Sequence, residues 1–267
     1  MVTYLDLREY AALSAINLAK ILTHSSGDIE QIYNFVDRVG LIWIALMRII
    51  SILNIDQLIL VPVGSSLVPI PLFMSSGERS VRENFRPKRG DVVVDVGTYY
   101  GRYTLISSHY VGATGLVIGI EADLRNYQIV KKNVVNNNAK NVILIRSAAS
   151  SEEGIVRLYK TEKLGAHSIV WDTLTEYEDV PCKPVDKLLS EIKVKKVDWL
   201  KIDVEGAELM VLEGSKQTLI DNEQLKLVIE IHTRSDEVLK FLKRMSYDVT
   251  FLEPKNIIPY HILAARN

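Results

Sequence analysis

From Asp91 onward, short runs of Val, Ile and Leu alternate with stretches whose apolar residues recur at helical spacing. An uninterrupted apolar run suits a strand buried on both faces, and its alternation with helices is the pattern of βαβ units around a parallel sheet. The predicted strands are Val92–Gly97, Leu116–Ala122, Val142–Ala148, Val197–Val204 and Lys226–His232, with helices near 102–110, 124–138, 207–221 and 235–245. Residues 149–185 interrupt the alternation. Gly154-Ile-Val-Arg-Leu-Tyr-Lys predicts an extra strand, and Gly165-Ala-His-Ser-Ile-Val-Trp a partner for it, forming an insertion where substrate contacts are expected. The chain closes with Tyr247-Asp-Val-Thr-Phe-Leu-Glu and His261-Ile-Leu-Ala-Ala-Arg, separated by a loop short enough for an antiparallel hairpin.

The first third reads differently. Residues 3–53 carry helical periodicity in two blocks, about 4–22 and 29–53, with Asp28 placed to cap the second. Gln57–Gly77 has no charge and is long enough to raise the question of a membrane span, but Pro62, Pro69, Pro71 and Gly64 argue against a spanning helix. Leu58-Ile-Leu-Val-Pro-Val and Leu67-Val-Pro-Ile-Pro-Leu-Phe are better read as the strands of a hairpin, with prolines on open edges. The expected organisation is an α-helical extension over 1–55, a β-hairpin and connector over 56–90, and a doubly wound α/β domain over 91–267. This stretch and Leu41-Ile-Trp-Ile-Ala-Leu-Met are unusually apolar, which leaves peripheral membrane contact open.

Composition narrows the function classes. The 267 residues are 48% hydrophobic and 24% charged, which sets aside disordered, collagen-like and mucin-like chains. With 32 basic and 33 acidic side chains the net charge is −1, so no global attraction to nucleic acid is expected. Cys182 is the single cysteine, and no Cys/His set has zinc spacing. A reducing compartment without structural metal follows. The N-terminus carries acids where a secretory leader would be basic, so a cytoplasmic location is expected.

The chemistry concentrates at strand ends. Val92-Val-Val-Asp-Val-Gly-Thr-Tyr-Tyr-Gly-Arg-Tyr-Thr is a buried strand, a tight turn and a helix start, with Asp95, Gly97 and Gly101 spaced D-x-G-x-x-x-G. Gly97 would let the backbone turn and approach a ligand, and Gly101 would let the helix start close to the strand. A dinucleotide fingerprint needs a further glycine where Tyr99 stands, with Tyr100 beside it, so NAD is disfavoured. Glu121 ends the next strand, where a carboxylate can accept hydrogen bonds from ribose hydroxyls. The small Ser147 and Ala148 would flank an adenine. These features together point to a nucleoside cofactor, with Thr104 and Ala122 completing the candidate site.

A second constellation is Val197-Asp-Trp-Leu-Lys-Ile-Asp-Val-Glu-Gly-Ala-Glu. In a doubly wound sheet this strand pairs with the first at the switch point and brings Asp203 and Glu205 to the cleft mouth. Asp203 could contact the cofactor or a substrate hydroxyl. Glu205 could hold the loop or act as a base, while Glu205 and Glu208 could equally serve only to cap a helix. Glu230 and His232 end Leu227-Val-Ile-Glu-Ile-His at the same rim.

Asp91-Val-Val-Val-Asp-Val-Gly-Thr-Tyr-Tyr-Gly-Arg-Tyr-Thr, Gly119-Ile-Glu-Ala-Asp and Leu200-Lys-Ile-Asp-Val-Glu-Gly-Ala-Glu with Val211-Leu-Glu-Gly resemble FkbM-type methyltransferases over about residues 80–265. The resemblance implies a Rossmann-like seven-stranded sheet with an antiparallel last strand and S-adenosylmethionine as methyl donor. It also implies O-methylation of a hydroxyl on a sugar, glycan or natural product. Thr98-Tyr99 replaces the family's common Ala-Asn. His232, Asp203 and His167, in that order, are the candidate bases. A protein or RNA acceptor, or a non-catalytic cofactor-binding or membrane-docking subunit, are the rival readings. Metal-dependent transfer is disfavoured because no Asp-Asp-Asn set occurs at the strand ends, although Asp203 and Glu205 could hold an ion weakly. The oligomeric state stays open.

Overall fold

Two strand runs, one near the N-terminus and one after Asp91, build two separate units in the computed structural model, 1–77 and 78–267. The structure describes residues 58–63, 66–71, 79–160, 168–170, 176–254 and 258–266; the helical blocks expected over 4–22 and 29–53, with Asp28, lie outside them. In the first unit β1 (Leu58–Val63) and β2 (Ser66–Pro71) pair antiparallel, Val63 opposite Ser66 and Leu58 opposite Pro71. Each strand of such a ribbon has an edge without a partner, so Pro62, Pro69 and Pro71 can be accommodated where no N–H is needed.

The second unit opens with α1 (Arg79–Asn84), followed by β3 (Val92–Val96), α2 (Arg102–Val111) and β4 (Leu116–Glu121). Next come α3 (Leu124–Asn136) and β5 (Val142–Arg146). The insertion strands β6 (Ala148–Ala149), β7 (Gly154–Tyr159) and β8 (Tyr177–Lys183) precede α4 (Val185–Glu191) and β9 (Trp199–Ile202). The chain ends in α5 (Glu208–Glu213), α6 (Lys216–Asp221), β10 (Lys226–Ile231), α7 (Ser235–Arg244), β11 (Asp248–Phe251) and β12 (Tyr260–Ala265).

Seven strands form one sheet in the order β11-β12-β10-β9-β3-β4-β5. The five strands from β10 to β5 are parallel, whereas β12 runs antiparallel between β10 and β11. Alternate residues feed two cores. Val94, Val96, Ile118, Ile120, Leu200 and Ile202 face the layer of α4 to α7. Val93, Val117, Trp199 and Val228 face the other layer with Tyr103 and Val111 of α2. Burying each such side chain contributes about 1.5–3 kcal/mol, which explains why charge is nearly absent from these runs. Residues 78–90, grouped by sequence with the connector, carry α1, whose Val81 joins this second core together with Phe85 just after it. Phe85 meets Trp199 edge-on at 5.2 Å.

The chain order reverses between β3 and β9, so the loops after these two strands diverge and leave a crevice at their carboxyl ends. Three predicted boundaries differ. The strand expected over 142–148 stops at Arg146; Ala148 and Ala149 leave the main sheet and pair with Cys182 and Lys183 in the order β6-β8-β7. β7 pairs along its length with β8, and Ser168 makes one bridge to Tyr159, so 177–183 supplies the partner expected from 165–171. The helix expected over 207–221 is broken at Gly214-Ser215, where the Ser150 carbonyl approaches so closely that a Cβ on Gly214 would fall 2.0 Å from it. Among the described residues no helix is long and apolar enough to cross a membrane.

The Ser150–Gly214 approach fastens the insertion to the helical layer, and neither backbone can withdraw without moving an element. Gly214→Ala is expected to lower stability by about 1–3 kcal/mol, read as a lower urea midpoint.

Candidate functional site

Three backbone turns converge above the crevice. In the first, Gly97, Tyr99 and Gly101 have φ of 82°, 52° and 88°, the left-handed region open to glycine and costly for tyrosine. A Cβ on Gly97 would lie 1.8 Å from the Asp203 carbonyl oxygen, and one on Gly101 would lie 2.4 Å from Val130 Cγ2. Both glycines therefore admit protein neighbours. Gly97 turns the backbone as expected and also lines the cleft, while Gly101, expected to let its helix start close to the strand, admits Val130 of α3.

Glu121 holds the turn together. Its Oε2 accepts from Tyr99 N at 2.7 Å and Thr98 Oγ1 at 3.3 Å, and its Oε1 accepts from Asp123 N at 3.0 Å. A carboxylate has about four acceptor positions, so roughly one remains for a ribose hydroxyl. Burial pushes this carboxyl up to about 7, against the pull of those N–H donors. Below the turn, Thr104 Oγ1 donates to Asp95 Oδ2 at 2.6 Å, and both residues are buried. Burial raises the Asp95 carboxyl, with Lys201 opposing.

The second turn, after β9, places Asp203 and Glu205, with Glu205 at φ 52° and Gly206 at φ 106°. Ser168 Oγ donates to the Glu205 carbonyl at 2.6 Å and ties the insertion to it. Lys201, 2% exposed within an apolar strand, reaches Asp203 Oδ2 at 3.0 Å and packs over the Tyr103 ring at 4.7 Å. Burial alone would raise the Asp203 carboxyl, but Lys201, a hydrogen bond from Glu230 and the His232 charge hold it below the ordinary value.

The third turn, after β10, carries His232. Its Nε2 lies 3.2 Å from Glu205 Oε2 and its Nδ1 3.0 Å from Glu208 Oε1, which also accepts from Gly206 N at 2.8 Å. Burial would lower this imidazole; the Glu208 hydrogen bond and the charges of Glu205 and Glu230 outweigh it and raise it to about 9. Burial pushes Glu205 up to about 7, against His232. Asp203, Glu205 and His232 bring ligand-type atoms within 4.8 Å of one another. Lys201 already engages Asp203, and the imidazole engages Glu205, so these oxygens have cationic partners within the protein.

Between the turns lies a cleft of about 270 Å³. Gly97, Tyr99, Glu121, Ala122, Ser147, Ala148 and Asp203 line it, as do Glu205 and Glu230. Asp95, Gly101 and Thr104 are buried and do not line it. Tyr100 is buried at 4% exposure and stacks on Tyr99 at 3.5 Å, so of the two rings Tyr99 faces the cleft. His232 stands behind Glu205, and His167 lies outside the described residues. Asn126, Leu158 and Ile169 also line the cleft, and reading the sequence missed them. Asn126 is the N3 residue of α3, its N–H taken by the Asp123 cap at 2.7 Å, and no motif marks it. Lys201 was missed as well, although a charge inside an apolar strand is a signal that could have marked it.

Residues 95–249 match the model of the methyltransferase FkbM domain, and the chain belongs to that family. No curated protein sequence matches it. Among solved structures it is similar to methyltransferase FkbM from Methylobacillus flagellatus KT, with 15% identity and a TM-score of 0.50 over 96% of this chain and 60% of that one. It is also similar to precorrin-6y C5,15-methyltransferase from Geobacter metallireducens GS-15, with 12% identity and a TM-score of 0.49 over 73% and 90% of the two chains. Aeropyrum pernix fibrillarin, in complex with natively bound S-adenosyl-L-methionine, matches at 15% identity and a TM-score of 0.43, over 66% of each chain. Family membership makes this chain a methyltransferase with S-adenosylmethionine as cofactor. The donor set fits: a carboxylate at the ribose position, small residues for a flat ring, and carboxylates toward the other end of the cleft.

The raised groups set a pH dependence of stability. Glu121 and Glu205, at about 7, keep protons that an unfolded glutamate sheds near 4.5, and His232, at about 9, keeps one that unfolded histidine sheds near 6.5. In each case the folded state binds more protons, so stability falls as pH rises from about 4.5 to about 9. Glu121→Gln should flatten the lower half of that decline, measured as urea midpoints from pH 5 to pH 9.

Proposed function

We propose that this protein methylates a hydroxyl group of a sugar, glycan or other small molecule. The observation that carries this reading is Glu205, a carboxylate on the cleft wall whose proton affinity is set near 7, backed by an imidazole. A base with that affinity is matched to taking a proton from a neutral acceptor near physiological pH.

Bound S-adenosylmethionine supplies an already activated, electrophilic methyl group. The protein's part is alignment, exclusion of water and proton acceptance. Glu121, Asn126, Ser147 and Ala148 hold the nucleoside end. Leu158 and Ile169 of the insertion keep water from the cleft. Glu205 takes the acceptor proton on its carboxylate, while His232, charged and engaged at both nitrogens, steadies Glu205 instead of serving as the free base. Asp203, held ionised by Lys201, orients the hydroxyl. The cytoplasm is the proposed location, and the apolar first unit is the part proposed to meet a membrane or partner.

The test is a screen of sugars and glycans with methyl-labelled S-adenosylmethionine. With an acceptor in hand, Glu205→Gln should lower turnover about a hundredfold or more and donor affinity less than tenfold. Label transfer only to protein or RNA, or unchanged turnover in the variant, would contradict the assignment.

A further inference from the structure

The mechanism leaves Glu230, His261 and Glu253 without a task. Glu230, next to last in β10, lies on the cleft wall and shares a hydrogen bond with Asp203. Its Oε1 lies 3.8 Å from His232 Nε2 and its Oε2 3.6 Å from His261 Nε2, an ion-pair distance. His261, 6% exposed, stands directly opposite Glu230 in the β10–β12 register. Its Nδ1 is 3.2 Å from Glu253 Oε2, which also accepts from His261 N at 2.6 Å, while Ser80 Oγ donates to Glu253 Oε1. The carboxyl groups of Asp203, Glu205, Glu208 and Glu230 thus crowd around Lys201 and His232, with His261 behind. So many anions in a nearly dry place exceed the cations facing them, and a proton must be shared.

We propose that Asp203 and Glu230 make the cleft prefer the positively charged sulfonium donor to its neutral thioether product, the donor's arrival displacing a proton from the pair. The two ligands share their nucleoside and amino-acid parts and differ by one methyl group and one charge. A pair holding a proton meets a cation poorly, and an ionised pair meets it well. The proton to be displaced follows from the crowding of four carboxyl groups around Lys201 and His232; burial and the Asp203 charge raise the Glu230 carboxyl in the same sense, and His261 opposes this. Donor affinity therefore increases with pH relative to product affinity, since the groups that meet the shared nucleoside act on both ligands alike. Once the methyl group has left as the acceptor's O–CH3, the sulfur is neutral, the pair takes a proton back, and the product's hold weakens. His261, backed by Glu253, acts through Glu230 as a positioning residue that sets the pH at which this happens.

The proposal rests on the cofactor assignment and not on the acceptor, so it is tested with S-adenosylmethionine and S-adenosylhomocysteine alone. Calorimetric titrations at neutral pH, in buffers of different ionisation enthalpy, count the protons each ligand releases. The wild-type protein should release more with the donor than with the product. Glu230→Gln should abolish that difference and weaken the donor about tenfold, one pKa unit's worth, with product affinity within about twofold as the control for folding. His261→Asn removes a group that lowers the Glu230 carboxyl, so it should move the rise in donor affinity to higher pH and leave the product unaffected. Equal proton release by both ligands in the wild type, or equal weakening of both in Glu230→Gln, would overturn the proposal. Binding of neither ligand to the wild type would overturn the cofactor assignment along with it.

Discussion

The site depends on one close approach: the backbone after β3 passes against the Asp203 carbonyl with no room for a side chain at Gly97. Asp203 N donates to Val96 O at 3.0 Å, so the parallel ladder of β3 and β9 runs up to the point where the two loops must part. Because the contact is backbone on backbone, it fixes the glycine turn and the acidic turn as one body. Glu121 then anchors the far side of the glycine turn through the Tyr99 N–H. The cleft is the space those fixed points enclose, and α2 and α3 are seated by the same turn through Gly101 and Val130.

A second constraint is charge in a dry place. Lys201 lies inside a strand whose neighbours are all buried and spends its charge on Asp203 and the Tyr103 face. Removing one member of such a cluster leaves an unpaired buried charge, costing about 3–5 kcal/mol. Burial raises Glu205 to about 7, and the carboxylates around His232 raise it to about 9 against burial. Glu205 adopts a φ of 52°, unusual for a side chain of its size, and its side chain lines the cleft.

Much of this was legible in the residues. The apolar runs of β3, β4, β9 and β10 name the central strands because burial on both faces leaves no place for polar alternation. Asp95, Gly97, Glu121 and Asp203 are found by position, at or near the ends of those runs. Other features depend on approaches between segments far apart in sequence. Nothing in Gly214-Ser215 announces that the Ser150 carbonyl will press there and break the helix. Tyr177-Glu-Asp-Val-Pro-Cys-Lys lacks an apolar run because β8 buries only Val180 and Cys182, so the less polar 165–171 looked the better partner for β7. The engagement of both His232 nitrogens was equally invisible, since Glu205 and Glu208 are brought to it by a different strand.

The central claim is that the crevice between the turns after β3 and β9 holds the methyl donor, and hydrogen–deuterium exchange with and without S-adenosylhomocysteine tests it most directly. The account predicts added protection in residues 97–104, 121–126, 147–149 and 203–208, with the helical layer around α6 and α7 unchanged. Saturating ligand that leaves these segments untouched, or protects the surface of α6 and α7 instead, would contradict it.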